Sequence, residues 1–151
     1  MRGVYTAQTK ISSNTSAKTL AYITAPSGKC VEIISASVTV SGTTNQQLEC
    51  ALQRISSLGT PTASSITPSP QESADQAAGS TVAMNVTASE PTYSSGVTFC
   101  QEQFSSLGGW RYMPAPEERV VLPGSGNIGL RLLGGMSSAD VDVNIVFREI
   151  G

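Results

Sequence analysis

Two short segments near the end of the chain have the residue types and spacing of known chemical sites. Residues 124–129 match the glycine pattern of dinucleotide-binding loops, whose backbone N–H groups hold a pyrophosphate at the start of a helix. Alternating apolar residues follow these glycines, so we predict a turn between strands instead. Residues 140–144 resemble the opening of a calcium loop, but Ile145 and Gly151 stand where glycine and glutamate are required. The interleaved valines indicate the solvent face of a strand.

Histidine is absent from all 151 residues, which restricts the catalytic chemistry available. The Ser–His–Asp and Cys–His systems and the His-rich zinc sites are excluded. Asp140 and Asp142 resemble an acid–base pair, but nothing on an exposed strand would separate their pKa values. Lys10, Lys18 and Lys29 are the only lysines. They lie near predicted turns or strand ends, where solvated charge is expected, although spacing alone leaves a Ser–Lys pair open. We therefore predict no enzymatic activity, no cofactor, no metal site and no small-molecule substrate.

The three cysteines, Cys30, Cys50 and Cys100, are far apart and include no C-x-x-C pair. This spacing excludes a zinc ribbon, and the odd count argues against a disulfide framework. One bridge between two of the three remains open. Cys50 alternates with Leu48 and Leu52, which predicts a small buried hydrophobic residue at this position.

Composition narrows the classes of partner. Charged residues make up 13% of the chain, the net charge is −2, and no run of basic residues is present, so we predict no nucleic-acid binding. We also predict no membrane span, because no stretch approaches eighteen apolar residues. The first residues contain no apolar segment of the kind that signal peptides have, so export by a cleaved signal is not expected. Serine and threonine account for 37 of the 151 residues, which suits a surface of neutral hydroxyl groups.

The elements that must position these residues are predicted to be almost entirely strands. Alternation of apolar and polar residues predicts eight or nine of them. The alternation of Cys30–Ser41 slips by one residue after Ile33, which indicates a β-bulge, and residues 42–45 are predicted to turn this strand into a hairpin with residues 46–56. The other predicted strands are residues 19–24, 82–87, 97–104, 118–122, 128–132 and 141–147, with a turn at residues 94–96 and a long loop at residues 58–70.

One short surface helix is predicted at residues 70–78. Ser69 suits the N-cap, Pro70 the first helical position and Glu72 a capping box, and Gly79 would end the helix. The predicted fold is an all-β, jelly-roll-like sandwich formed by residues 17–151. Residues 1–16 have too little apolar surface to fold alone, and we predict an extended N-terminal arm that adds to a neighbour as a strand.

Two groups of residues are candidate interfaces. In the arm they are Arg2, Val4 and Tyr5. In the second group, Trp110, Tyr112 and Met113 either plug the core or form an exposed patch for a partner. In the closing strand, Val141, Val143, Ile145 and Phe147 are predicted to line the core.

The order of several short motifs resembles a group of small virion proteins of tailed bacteriophages, the capsid decoration (cement) proteins. The resemblance spans about residues 20–149. It begins with Leu-Glu-Cys-Ala-Leu-Gln-Arg at residues 48–54, which runs into a Gly-Thr-rich loop at residues 59–63. Gly-Gly-Trp at residues 108–110 comes next, followed by residues 116–121, 126–132 and 144–149.

The resemblance implies a structural virion protein that binds the major capsid protein on the outer surface of the capsid and stabilises it by bridging capsomers. It also implies a homotrimer, made in the cytoplasm of the bacterial host, and it brings no catalytic residue. A head-fibre or tail component is the related alternative. From the residues themselves a carbohydrate-binding jelly roll is a second alternative, with Trp110 and Tyr112 as the candidates for stacking on sugar rings.

Overall fold

The computed structural model describes residues 3–151, and almost all of their regular secondary structure is β-strand. Strands make up 62% of the structure and helical turns 2%, and two antiparallel sheets form a sandwich, which confirms the predicted fold class. In chain order the strands are β1 Val4–Asn14, β2 Lys18–Thr24, β3 Cys30–Ser41, β4 Gln47–Ser57, β5 Thr62–Ile66, β6 Ser69–Pro70, β7 Thr81–Ala88, β8 Thr92–Ser105, β9 Trp110–Tyr112, β10 Val121–Leu122, β11 Asn127–Leu132 and β12 Ala139–Ile150.

The strand order is that of a jelly roll. Sheet A runs β10-β3-β12-β1-β6, with β9 also paired to β3, and sheet B runs β5-β7-β2-β11-β4-β8. The chain passes from one sheet to the other between β1 and β2, β2 and β3, β3 and β4, and again between β11 and β12. With β5, β6 and β7 set aside, each sheet keeps a four-strand core in jelly-roll order. The three remaining strands are an insertion between β4 and β8.

The predicted hairpin of β3 and β4 is wrong. The turn after Ser41 carries the chain across to the other sheet, where β4 pairs with β11 and β8, while β3 pairs with β12. Alternation reports which face of a strand is buried, and both arrangements bury the same side chains. The choice of partner strand depends on residues much later in the chain.

The predicted bulge in β3 and the predicted core face of β12 are confirmed. Val146 lies opposite Ser35 and Phe147 opposite Ile33, so Ile34 is the extra residue. The side chains of Val141, Val143, Ile145 and Phe147 are buried in the core between the sheets. Cys50 is buried there too, as predicted.

The N-terminal segment is a strand of the sandwich and not an extended arm. Val4–Asn14 pairs along its length with β12 and briefly with β6. Tyr5, Ala7 and Ile11 alternate into the core, and the Tyr5 ring lies 5.6 Å from that of Phe147. Three apolar residues of this segment share the core face, and Val4 is buried on the opposite face, so together they are sufficient for a strand that completes a sheet.

The predicted helix at residues 70–78 is absent. Ser69–Pro70 forms β6, which pairs with Tyr5 and Thr6, and a turn follows in which the Asp75 N–H donates to the carbonyl of Glu72. The Asp75 carboxylate accepts a hydrogen bond from the Gly3 N–H at 2.7 Å. These contacts with the first strand replace the capping pattern. In residues 3–151 the helical element is a 3₁₀ turn at Pro116–Glu118.

Twelve strands replace the eight or nine predicted. The additional strands include β1, taken for an arm, and β5, which falls inside the predicted loop of residues 58–70. The predicted turn at residues 94–96 lies inside β8, where the register against β4 shifts and Gly96 adopts a positive φ of 77°. Short strands rich in Ser and Thr carry too little apolar signal to be separated from loops.

Candidate functional site

The residues predicted to form interfaces are mostly buried. Trp110 is 3% exposed and belongs to the core, with its ring stacked 6.5 Å from that of the half-buried Tyr112. The first alternative for Trp110, a plug of the core, is therefore the one observed. Val4 and Tyr5 are also buried, whereas Met113 is 62% exposed. Arg2 lies outside the described residues.

A well-defined depression lies on the outer face of sheet A, and we call it the sheet A trough. Strand register places outward side chains of β1, β12, β3 and β9 side by side in two rows. Gln8, Asn144, Ser37 and Arg111 are opposite one another in the first row. In the second row Lys10 is opposite Asp142, which is opposite Thr39. The trough thus combines amides, hydroxyls and one carboxylate with flanking cations.

The shape of the trough follows from side-chain length. Ser37, Thr39, Asp142 and Asn144 in the middle are short, while longer side chains stand on β1 and β9. The cavity has a volume of about 470 Å³ and continues past Ser37 and Thr39 into a second depression of about 310 Å³ beside residues 108–111. These volumes lie in the range of small-molecule sites, about 300–1,000 Å³.

Charges near the trough are partly paired within the protein. Lys10 Nζ lies 3.1 Å from Asp140 Oδ2, and this hydrogen bond holds the pKa of Lys10 above its usual value. The Ser13 N–H donates to Asp140, and this bond together with that of Lys10 lowers the pKa of the carboxyl. By contrast, Asn144 Oδ1 is buried and accepts no hydrogen bond from the described residues.

Part of the outer face of sheet B is covered by the chain itself. Tyr93 lies across this face, with the guanidinium of Arg131 4.3 Å from its ring centroid. Thr19 Oγ1 donates to Glu90 Oε2 at 2.5 Å, so the Tyr93 hydroxyl, 2.6 Å from the same oxygen, is the donor to Thr19. The Thr19 N–H also donates to the Glu90 carboxylate. We call Thr19, Glu90, Tyr93 and Arg131 the Tyr93 network.

Gly129 is the residue that admits Tyr93 to this face. A Cβ atom at Gly129 would lie 2.3 Å from the Tyr93 hydroxyl oxygen, so only glycine leaves room for the ring. Burial raises the pKa of Tyr93 to about 12. The Tyr93 network was not predicted from the sequence, although Gly129 was placed in a predicted strand, residues 128–132. A glycine inside an alternating strand is the local signal of a close approach, but it does not name the approaching residue.

A buried ionic cluster lies at the other end of sheet A. Glu32 is 6% exposed, and its carboxylate lies 2.6 Å from Arg148 Nη2 and 3.7 Å from Arg119 Nη1. Glu32 and Arg148 are directly opposite each other on β3 and β12. Two guanidinium groups thus compensate one carboxylate, as burial of a charge requires. The arrangement ties the segment before β10 to the sheet.

One edge of the sandwich carries most of the exposed apolar side chains. Among the described residues four large hydrophobic side chains are exposed, and three of them, Leu107, Met113 and Val121, flank or belong to β9 and β10. Strands β9 and β10 end sheet A at this edge, and the 14-residue strand β8 ends sheet B. The backbone of β8 therefore has a side that pairs with no other described strand. We call this region the β8–β10 edge.

The three cysteines form no disulfide bond. Cys30, Cys50 and Cys100 are free thiols, and burial raises the pKa of Cys50 to about 12. Among the described residues, no group of three or more Cys, Asp or Glu side chains is arranged to hold a metal ion. No helix within residues 3–151 has the length and apolar character needed to cross a membrane.

Comparisons of the chain with protein-family models, curated proteins and solved structures gave no match.

Proposed function

We propose that this protein is a capsid decoration (cement) protein that binds the major capsid protein on the outer surface of a tailed-phage capsid and bridges capsomers. The proposal rests on the order of sequence motifs described above. The jelly-roll sandwich is compatible with it as a rigid shell component. A homotrimer on the virion surface is part of the proposal.

The β8–β10 edge is the feature of the structure that best supports binding to a partner protein. Free strand edges pair with other chains unless they are covered or charged. Here Leu107 and Met113 are 64% and 62% exposed beside such an edge. Exposed apolar side chains that lie in one region of a surface mark interaction sites, and Met is enriched where proteins meet. We assign the contact with the capsid to this edge.

The small number of charges favours packing between subunits. With 13% charged residues, contact surfaces require the desolvation of few ions, which is the costly part of burying a polar surface. Strands rich in Ser and Thr can exchange hydrogen bonds with water for hydrogen bonds with a neighbour. These properties support a shell protein more than a freely diffusing one.

The proposal is tested by binding the purified protein to capsids that lack it. Met113→Asp and Leu107→Asp place a charge on the β8–β10 edge and should each reduce binding at least tenfold, because a carboxylate would be desolvated in the contact. Ser65→Asp, on the exposed edge strand β5, is the matched control and should bind like the wild type. Equal binding by all three variants would contradict the assignment of the edge.

Copy number separates decoration from the related alternative. Mass spectrometry of purified virions should give this protein in numbers comparable to the major capsid protein, whereas a head-fibre or tail component would be present in a few copies. Light scattering of the purified protein tests the homotrimer. A protein absent from virions would overturn the proposal altogether.

A further inference from the structure

We infer that the sheet A trough is a binding site for a carbohydrate, separate from the edge assigned to the capsid contact. The inference rests on the lining chemistry, on the dimensions of the trough, on a buried acceptor in its wall and on a glycine that keeps one end open. It does not depend on the proposed function.

The lining residues match the hydrogen-bonding pattern of a polyhydroxylated ligand. Each sugar hydroxyl both donates and accepts, so its partners should include both kinds of group. Asp142 is an acceptor, whereas the amide of Gln8 and the hydroxyls of Ser37 and Thr39 both donate and accept. These residues come from three adjacent strands, and rigid strands hold such groups at defined spacing.

The dimensions suit a short oligosaccharide lying across the strands. From Gln8 on β1 to Arg111 on β9 there are three inter-strand spacings, or about 14 Å, and the two rows are about 7 Å apart along the strands. The trough is thus longer than it is wide. A linear ligand would run perpendicular to the strands from β1 towards the second depression.

Asn144 supplies an acceptor that the protein leaves unused. Its Oδ1 atom is buried without a hydrogen-bond partner, and a buried acceptor of this kind costs about 1–3 kcal/mol when it is unsatisfied. Asn144 lines the trough between Gln8 and Ser37. Because this atom has no solvent-accessible surface, the Asn144 amide must rotate towards the trough before a ligand hydroxyl can donate to it and remove the cost.

Gly109 keeps the end of the trough open towards the second depression. A Cβ atom there would lie 3.1 Å from Thr39 Cγ2 and 3.1 Å from the Val38 carbonyl oxygen, and its φ of +71° favours glycine. A side chain at this position would close off the space beside Thr39.

Other classes of ligand fit the trough less well. Protein interfaces are depleted in Ser, Asp and Lys, which line this site, and are enriched in aromatic residues. A polyanion would be repelled by Asp142 in the middle of the trough and would find Lys10 already paired with Asp140, which leaves Arg111 at the margin as its cationic partner. Trp110, at the margin of the second depression, is too buried for its ring to stack on a sugar. Affinity for one oligosaccharide should therefore be weak, with a Kd of about 1 mM, and presentation on an oligomer would strengthen it.

The test uses an array of bacterial surface polysaccharides and defined oligosaccharides, followed by NMR titration of the full chain with the best binder. We expect amide shift changes centred on Gln8, Ser37 and Asn144. Asp142→Ala should weaken binding at least tenfold, and Ser37→Phe, which fills the trough, should abolish it. Glu49→Ala, which removes a carboxylate on the outer face of sheet B, is the matched control and should bind as the wild type does.

Three results would overturn the inference. They are no binding of any array glycan at millimolar concentration, shift changes that map away from the trough, and equal loss of binding in Asp142→Ala and Glu49→Ala. Binding of peptides in place of glycans, if it is lost in Ser37→Phe, would assign the trough to a protein partner and would also contradict the inference. Capsid binding by Asp142→Ala should stay unchanged, so the two proposals fail independently.

Discussion

The two outer faces of the sandwich are built from similar polar residues, but a tyrosine ring covers part of one face while the other face has an open depression. Sheet B has Tyr93 laid over Gly129, with Thr19, Glu90 and Arg131 closing the network around the ring. Sheet A presents short polar side chains around a depression of about 470 Å³. Polar residues on an outer face therefore do not by themselves mark a binding surface. On sheet B they hold the chain to itself, and on sheet A they are available to a ligand.

The difference arises from one aromatic residue and one glycine. The Tyr93 ring can approach β11 this closely only because the strand has no side chain at Gly129. In the sheet A trough the central positions carry Ser, Thr, Asp and Asn, and no aromatic ring of the described chain lies over them. Four predictions test this difference: three changes of stability near neutral pH, in decreasing order of size, and one change at alkaline pH.

Phe147→Ala and Asp142→Ala compare the core face of β12 with its open outer face. Phe147 is fully buried against Tyr5, so its truncation should lower the free energy of unfolding by about 3–5 kcal/mol. Asp142 is exposed in the trough, and its truncation should change stability by less than about 0.5 kcal/mol. Urea denaturation of both variants measures the difference. Equal costs would mean that the outer face of sheet A is not open.

Gly129→Ala tests the covered face. The added methyl group would displace the Tyr93 ring, and overpacking of this kind costs about 1–3 kcal/mol. Ser37→Ala on the open face is the control and should be close to neutral. The double variant Gly129→Ala, Tyr93→Ala should cost less than the sum of the single variants, because the clash is absent once the ring is removed. Additive costs would show that Tyr93 does not rest on Gly129.

Tyr93→Phe and Thr19→Val measure the hydrogen bond at the centre of the Tyr93 network. A double-mutant cycle of thermal or urea unfolding should give a coupling energy of about 0.5–1.5 kcal/mol between the two hydroxyls. A coupling energy of zero would mean that the 2.6 Å contact contributes nothing to stability.

The raised pKa of Tyr93 should make the protein lose stability at alkaline pH. The pKa of Tyr93 is raised to about 12 in the folded protein from an ordinary value of 10.0. Between these values the unfolded chain has released the phenol proton while the folded protein keeps it, so stability falls as pH rises through this window and is unaffected below it. Tyr93→Phe should show a smaller loss of stability from pH 10 to pH 12 than the wild type. The same loss in both would place the titration on other tyrosines, of which Tyr5, Tyr22 and Tyr112 also have raised pKa values.

Alternation of apolar and polar residues predicted the strands in which it is clearest. The prediction failed where contacts with residues distant in the chain override the local pattern. Cys30–Ser41 was predicted with its bulge, and the buried face of β12 was predicted residue by residue. The capping pattern at Ser69 and Glu72 failed because β6 and the following turn are held by β1, more than sixty positions earlier. Trp110 was identified as the notable aromatic residue, with burial in the core as one of two alternatives. Tyr93 was passed over because its partners are Thr19 and Gly129.

From the sequence alone it follows that this chain forms β-strands, that most of them bury a particular face, and that histidine-based catalysis is excluded. These properties depend on residue type and on a period of two, both of which are local. Three features required the folded structure: neighbouring strands enter opposite sheets, the first segment completes sheet A, and Tyr93 covers part of the outer face of sheet B while the sheet A trough is open. The contacts responsible join residues far apart in the chain, such as Thr19 and Tyr93 with a separation of 74 positions. No local pattern specifies which distant residue meets which, because that choice depends on how the whole set of strands packs.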